Sequence, residues 1–352
     1  MLDLFKLASV ERGYTSTSFS LAGDNVSVSG LATHQQSFRY SVNGALSKGV
    51  HGSGNLMDTL FVLANMRPWP LGTKNDSLIM VDECPECAQG NILIHRASCE
   101  GACPHCGSAV YAADVLKLWK EDSDDDFEAT GNRVMSVCEH LMLVRNLRQM
   151  FEDNPYDLGR TAFIVDGPLA VSGIWTQWLH KPIMQFLYQT QMALKVMGLR
   201  PPLIVGLSKT GKLVDHAKYM GRYITGNKVV ADSDDYRARY VGGNIPKSGG
   251  GFGAHNYYGQ NFIYWTATGA VYVFDLPYPF SSKDASSNFR HEKSEAHRYS
   301  QLGSAVALID YYRSDEFENA VVPVVLAHKF TAISAGPGGA MIDALVSSAL
   351  AP

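Results

Sequence analysis

Residues 161–167, TAFIVDG, decide the fold class of this chain. An apolar run precedes an aspartate and a glycine, which is typical of a buried strand that ends in an acid. Lys181–Met197 then shows the periodicity of a long helix, and residues 202–206, PLIVG, predict another buried strand. Strand, helix and strand in this order predict an α/β core with crossover connections.

The segments around this unit extend the prediction. A strongly helical pattern runs from Asn132 to Asp153, and residues 1–75 are predicted to be β-rich with a helix at Asn55–Ala64. We expect a core over residues 76–335 and a tail at 336–352. Further strands are predicted at residues 77–82, 261–266, 270–276 and 320–327, of which the second and third form a hairpin and the last runs into His328.

Two cysteine pairs interrupt the core. Residues 88–102 separate the pairs, and this spacing is typical of a zinc ribbon, which we place at residues 83–112. Residues 91–95 predict a strand, with residues 108–111 as its partner. A redox dithiol is the alternative, which the spacing disfavours. A closed shell of four thiolates predicts a structural Zn²⁺ site. The predicted ligands are Cys84, Cys87, Cys103 and Cys106.

Composition bounds the class of protein. The chain has 352 residues, 46% of them hydrophobic, enough for a sizeable core. A net charge of −4 argues against a generally basic nucleic-acid binder, although a local basic channel remains compatible with it. We expect no membrane span and no secretory leader. Six cysteines, four of them assigned to metal, favour the cytoplasm over a disulfide framework.

Three acids stand out by their placement. Asp82 and Asp166 end predicted buried strands, where open α/β sheets expose their sites. Glu139 lies on a helix with apolar neighbours, where a carboxylate is costly unless it is paired or binds a cation. A single acid of this kind is commonly a cap or turn residue. Three together favour a site for Mg²⁺ or Mn²⁺, the ions with which clustered carboxylates cut phosphodiesters.

Four short motifs resemble, in order, those of the NurA nucleases. Residues 163–169, FIVDGPL, resemble the second acidic motif of that family, and residues 204–210, IVGLSKT, resemble its strand with a glycine and a lysine. Residues 258–264, YGQNFIY, resemble the start of its central sheet. Residues 323–328, PVVLAH, resemble its C-terminal Ala-His motif. The resemblance covers about residues 130–335.

The resemblance implies an α/β fold with an RNase H-like mixed sheet core and flanking helices, to which the zinc ribbon is a small insertion. It implies cleavage of DNA with Mn²⁺ or Mg²⁺, a HerA-type hexameric ATPase as partner, and a homodimer. By position, Glu139 and Asp166 match the family's acids and His328 its histidine, a metal ligand or proton carrier. Lys209 is a candidate for binding phosphate, with a solvated loop lysine as the alternative.

The first acid of the motif set departs from the family pattern. The family has Asp-Gly-Ser, whereas Asp82 is followed by Glu83 and the first cysteine pair. Asp24 and Asp114 are therefore alternatives to Asp82.

A second departure concerns an aromatic residue. The family's tyrosine corresponds to Ala320, so its role is missing or is filled by Tyr311 or Tyr312. Trp175 and Trp178 favour core packing, with stacking on bases as the alternative.

The sequence thus predicts a metal-dependent DNA nuclease that processes ends beside a translocase, in repair or in defence against foreign DNA. The alternative is a non-catalytic RNase H-like adaptor whose zinc ribbon binds DNA or the ATPase. An RNA-cutting Piwi-like nuclease ranks below both, because nothing in the sequence indicates a guide-binding domain.

Overall fold

The computed structural model describes residues 33–48, 54–120, 127–242, 251–286, 288–314 and 319–326. These residues fall into two compact units. The ribbon unit contains the described residues up to 155 together with 170–193, and the sheet unit contains 156–169 and the described residues from 194 onward. None of the described helices has the length and apolar character needed to cross a membrane.

The described helices and strands are numbered in chain order. The helices are α1 (His34–Ser47), α2 (Leu56–Asn65), α3 (Phe127–Asp153), α4 (Pro155–Leu158), α5 (His180–Val196), α6 (Lys212–Met220), α7 (Asp234–Tyr236), α8 (Phe289–Glu292) and α9 (Leu302–Tyr312). The strands are β1 (Leu78–Val81), β2 (Ile92–His95), β3 (Glu100–Ala102), β4 (Ala109–Tyr111), β5 (Ala162–Asp166), β6 (Leu203–Ser208), β7 (Lys228–Ala231), β8 (Gly259–Trp265) and β9 (Val271–Pro277). Single 3₁₀ turns lie at Ala112–Leu116, Gln177–Leu179, Lys283–Ala285 and Ala296–Arg298, and a π turn lies at Arg237–Val241.

The sheet unit is built on a five-stranded mixed sheet in the order β5-β6-β9-β8-β7. β5 and β6 run parallel, and every other pair of neighbours is antiparallel. The chain connects the parallel strands through α5, and β8 and β9 form the predicted hairpin. The α/β class, the mixed sheet and its flanking helices are therefore confirmed.

Different helices cover the two faces of this sheet. Side chains alternate between the faces along β9, because successive strand residues point in opposite directions. Tyr272 and Phe274 pack in one hydrophobic cluster with residues of α9, whereas Val271 and Val273 pack in another with residues of α6. β8 is buried along its whole length. At the carboxyl ends of β5 and β6, Asp166 is exposed and Ser208 is partly exposed.

The ribbon unit combines helices with two small antiparallel sheets. β1 pairs with β2, and β3 pairs with β4. The N-terminus of α1 is capped by the Thr33 hydroxyl, which accepts a hydrogen bond from the backbone N–H of Gln36. α2 starts at a capping box formed by Asn55 and Asp58, and it packs against α3. The helices thus support the hairpins that carry the cysteines.

The predicted strand at residues 77–82 is confirmed as β1, which lies outside the five-stranded sheet because β2 supplies its antiparallel partner. Two other local predictions are wrong. The predicted pairing of residues 91–95 with 108–111 fails for the same reason, and β4 pairs with the unpredicted β3 instead. Residues 322–326 are helical where a strand was predicted, since tertiary context overrides the β propensity of their valines.

The predicted domain boundaries differ from the division into two units. The described residues between 33 and 75 carry two helices and no strand, contrary to the predicted β-rich region. Asn55 and Asp58 favour the helix there through their capping bonds. Residues 83–112 belong to the same unit as the three helices α1 to α3. The predicted tail, 336–352, lies outside the described residues.

Candidate functional site

The four cysteines of the predicted ribbon come together. Their ligand atoms all lie within 4.8 Å of one another, with Cys84 Sγ 3.8 Å from Cys106 Sγ and Cys87 Sγ 3.7 Å from Cys103 Sγ. A tetrahedral Zn²⁺ with Zn–S bonds of about 2.3 Å requires sulfur atoms about 3.8 Å apart. The group can therefore hold a metal ion such as zinc.

The surroundings of Cys106 favour the thiolate, whereas burial raises the pKa of Cys84, and the pKa of Cys87 is raised to about 12 against a backbone hydrogen bond from Gln89. Hydrogen bonds from the side chain and the backbone of Ser108 lower the pKa of Cys106 to about 6. Gly107 has a φ of 74°, which lets the chain turn back directly after Cys106. Four thiolates would close the coordination shell, so this centre would be structural, with no position left for a substrate.

A buried ion pair holds the ribbon against α1. Arg39 donates from Nε to Asp114 Oδ1 at 3.0 Å and from Nη2 to Asp114 Oδ2 at 2.6 Å, and it also reaches the carbonyl oxygen of Ala109. The backbone N–H of Tyr111 donates to Asp114 as well. Although these bonds favour the carboxylate, burial raises its pKa above the ordinary value. Both oxygens of Asp114 are thus engaged in a structural contact, which makes it a poor substitute for Asp82.

Asp82 directly follows β1 in the ribbon unit. Its Oδ2 lies 3.0 Å from Lys117 Nζ, and the neighbouring Glu83 contacts both Lys117 and Lys120. The other oxygen, Oδ1, is shielded from solvent without a hydrogen-bond partner among the described residues. Asp82 therefore belongs to a group of alternating charges, and one of its oxygens retains an unused ligand position.

Glu139 lies on α3 and is half-buried. Burial and the negative charge of Glu139 raise the pKa of the neighbouring Cys138 to about 12. The next residue, His140, is buried, and its Nε2 lies 2.8 Å from the carbonyl oxygen of Ala170. Because a carbonyl only accepts hydrogen bonds, Nε2 carries the proton there. Burial lowers the pKa of His140 to about 4, so the ring is neutral and fixes the start of the 170–179 segment to α3.

Asp166 and Lys209 meet in the sheet unit. Asp166 ends β5, and Lys209 comes directly after β6, so the parallel pairing places both at the same edge of the sheet. Lys209 Nζ lies 2.7 Å from Asp166 Oδ1, and about a third of each side chain is exposed. A carboxylate and an ammonium group are therefore presented together at the carboxyl ends of two parallel strands, where α/β sheets commonly bind ligands.

The loop that follows Asp166 is held by a residue that sequence reasoning missed. Asp275 on β9 is completely buried, and its Oδ2 accepts a hydrogen bond of 2.7 Å from the backbone N–H of Leu169. Its Oδ1 accepts from the amide of Asn261 on β8. The carbonyl of Leu169 in turn accepts from the N–H of Tyr258. An acid within the otherwise apolar VYVFDLP of β9 was the available signal.

Asp275 belongs to a larger buried polar network. Arg237 donates to Asn261 at 3.0 Å and forms an ion pair with Asp232, and its guanidinium lies 3.6 Å from the ring centre of Phe252. Burial raises the pKa of Asp232 to about 6 and the pKa of Asp275 to about 7, against the favourable charge of Arg237. Buried polar groups are costly when they lose their hydrogen-bond or ion-pair partners. The network therefore favours the one arrangement of β8, β9 and the Asp166 loop in which these partners are kept.

The predicted site residues are thus distributed over both units. Asp82, Glu139 and the cysteines belong to the ribbon unit, whereas Asp166 and Lys209 belong to the sheet unit. His328 and Asp24 lie outside the described residues. Among the described residues, one group of three or more side chains is close enough together to hold a metal ion, and it consists of the four cysteines. Searches of family models, of curated proteins and of solved structures found no match to this chain.

Proposed function

We propose that this protein is a metal-dependent DNA nuclease. The observation that carries the proposal is the Asp166–Lys209 pair at the carboxyl ends of β5 and β6, 2.7 Å apart and open to solvent. Phosphodiester cleavage needs carboxylate oxygens to hold a divalent cation and a positive charge to bind the phosphate. The resemblance of residues 163–169 and 204–210 to NurA motifs falls on these same two strand ends.

The oxygen donors fit Mn²⁺ or Mg²⁺ at Asp166, whose partly exposed carboxylate a cation can reach. The NurA resemblance implies Glu139 as a further acid, Asp82 as the candidate first acid, and His328 as a ligand or proton carrier. When bound, the ion would activate water and stabilise charge on the phosphate. Lys209 would bind a phosphate oxygen, and Asp275 would keep the Asp166 loop in place through Leu169.

Metal binding and cleavage together test this proposal. Asp166→Asn keeps the size of the side chain and removes its charge, so we expect it to abolish Mn²⁺ binding measured by electron paramagnetic resonance. It should also lower Mn²⁺-dependent cleavage of linear DNA at least about 100-fold, as the loss of a group that stabilises the transition state does. The matched control is Asp284→Asn, an exposed aspartate in the same unit, which should change neither. A wild-type chain that binds no Mn²⁺ beyond the cysteines would refute the proposal.

Fold relationship and partners belong to the same proposal. A mixed sheet with helices on both faces is compatible with an RNase H-like core, and NurA resemblance implies a homodimer that works beside a HerA-type ATPase in repair or defence. We expect light scattering to give twice the mass of the chain, and we expect the purified ATPase to stimulate cleavage. A monomer that the ATPase neither binds nor stimulates would contradict this part.

A non-catalytic adaptor is the second candidate. Two observations favour it. Asp82 is ion-paired with Lys117, and the four cysteines are the one metal-ligand group found among the described residues. The adaptor would bind DNA or the ATPase through its zinc ribbon. DNA binding that requires zinc, with no Mn²⁺ binding and no cleavage, would select this function over the nuclease.

A further inference from the structure

Two tryptophans and three cations of the ribbon unit form a contiguous group, here called the tryptophan–cation cluster. Arg67 lies 4.5 Å from the ring centre of Trp178. Lys120 Nζ lies 4.3 Å from the ring centre of Trp175, and Lys117 Nζ lies 5.7 Å from it. Both tryptophans are half-buried, so each packs against the protein on one side and keeps part of its ring accessible for stacking. Their rings pack against cations and remain partly open to solvent.

The cluster contains more buried donors than acceptors. Arg67 Nη1, Trp175 Nε1 and Trp178 Nε1 are shielded from solvent, and none of the three has a hydrogen-bond partner in the described part of the chain. Leaving a buried donor unsatisfied costs about 1–3 kcal/mol. These donors lie inside the cluster, so the surface it offers to a ligand consists of the partly exposed tryptophan rings and the cationic side chains.

The charges of the cluster favour an anion as that ligand. Arg67, Lys117 and Lys120 carry three positive charges, and the adjoining Asp82 and Glu83 carry two negative ones, leaving one positive charge. Lys117 and Lys120 neutralise the acids directly, whereas Arg67 has only a longer-range interaction with Asp82. A guanidinium with free N–H groups matches the oxygens of a phosphate.

Exposed apolar side chains flank the cluster. Trp69, two residues after Arg67, is 72% exposed, and Ile174, next to Trp175, is 61% exposed. Flat apolar surfaces beside a phosphate-binding group are what proteins use to hold the bases and backbone of an unpaired strand, because every base has a face that stacks. Double-stranded DNA hides these faces, so the combination favours single strands.

We propose that the tryptophan–cation cluster binds single-stranded DNA, with the accessible part of Arg67 on a backbone phosphate and the partly exposed faces of both tryptophans against bases. This inference rests on the proposed function for the identity of the polymer as DNA. It assigns strand binding to the ribbon unit, a role separate from cleavage at Asp166. Lys120 is ion-paired with Glu83 and about a quarter exposed, and its exposed side would contribute a further phosphate contact.

The test is fluorescence anisotropy with a fluorescein-labelled oligothymidylate of about 12 nucleotides, measured on the zinc-loaded chain without added Mn²⁺ or Mg²⁺. We expect Arg67→Gln and Lys120→Gln each to weaken binding about tenfold and to lower the salt slope of log K by about 0.7, the value for one lost phosphate contact on a single strand. Trp178→Phe replaces the indole with a smaller aromatic ring, and the lost stacking area should weaken binding about threefold to tenfold. Lys48→Gln, an exposed lysine of the same unit, is the charge-matched control.

Two results would overturn this inference. One is an equal loss of affinity in Lys48→Gln and Lys120→Gln, which would show non-specific attraction. The other is full affinity in Lys120→Gln and Trp178→Phe. Tryptophan fluorescence titrated with inorganic phosphate and with thymidine monophosphate adds a third criterion, because quenching by the nucleotide at lower concentration than by phosphate is expected from stacking. Equal response to both ligands would contradict the role in strand binding. If these variants bind Mn²⁺, cleave DNA and bind the single strand as the wild type does, the strand-binding inference fails and the nuclease proposal is unaffected.

Discussion

The buried carboxyl of Asp275 should make the protein less stable as the pH rises. Burial raises its pKa from the ordinary 3.8 to about 7 in the folded protein, against the hydrogen bonds from Leu169 and Asn261 and the charge of Arg237. Below pH 4 both the folded and the unfolded chain hold this proton. Between pH 4 and 7 only the folded chain keeps it, so unfolding releases a proton and becomes easier as the pH rises. Above about pH 8 both states are ionised and the dependence ends.

The size of the effect follows from the interval between the two pKa values. Each pH unit within it is worth about 1.4 kcal/mol, which gives about 4 kcal/mol in total, about 2 kcal/mol between pH 5 and 7, and about 3 kcal/mol between pH 5 and 8. Asp275→Asn cannot titrate, so its stability should lack this component. The variant also places an amide N–H₂ against Asn261, which should cost about 1 kcal/mol at every pH.

Urea unfolding from pH 5 to 8 measures this prediction in the wild type, in Asp275→Asn and in the exposed control Asp284→Asn. We expect the free energy of unfolding of the wild type minus that of Asp275→Asn to fall by about 3 kcal/mol across this range. The control should follow the wild type. A difference that stays constant or rises with pH would refute the reasoning, because it would mean that Asp275 is ionised when folded and that Arg237 outweighs burial.

Three further predictions concern metal, charge and packing. Cys106→Ser should reduce the zinc content from one ion per chain to near zero by elemental analysis, whereas an unchanged content would exclude the four-thiolate site. Arg39→Met leaves Asp114 buried without its cation and should lower the free energy of unfolding by about 3–5 kcal/mol in urea titrations, while a loss under 1 kcal/mol would show that the ion pair is not structural. In Gly206→Ala the new Cβ would lie 2.7 Å from the carbonyl oxygen of Gly167, and we expect a cost of about 1–3 kcal/mol and weaker Mn²⁺ binding at the adjacent Asp166. Retention of both wild-type values would place the Asp166 loop farther from β6.

Local patterns succeeded where a segment's partner lies close in sequence. The strand of residues 161–167, the helix after it and the strand at 202–206 were predictable because buried strands and amphipathic helices have distinct periodicities. The cysteine group was predictable because two C-x-x-C turns are themselves local structures.

Pairing and burial over long distances were not predictable. The four apolar residues of β1 suit a central strand of a large sheet as well as one strand of a two-stranded sheet. Only their pairing with β2 decides between the two. The same limit applies to Asp275, since its partner Leu169 lies 106 residues away in the chain.

The sequence by itself therefore determined the two strands and the helix of residues 161–206, the α/β class and the identity of the four clustered cysteines, because these depend on periodicity and spacing within short segments. Only the tertiary structure decided which charges compensate one another: Lys209 at Asp166, Lys117 at Asp82 and Arg39 at Asp114. It also decided that three cations surround Trp175 and Trp178. The physical reason is that electrostatic and packing energies depend on distance in space, which residues far apart in sequence acquire only when the chain has folded.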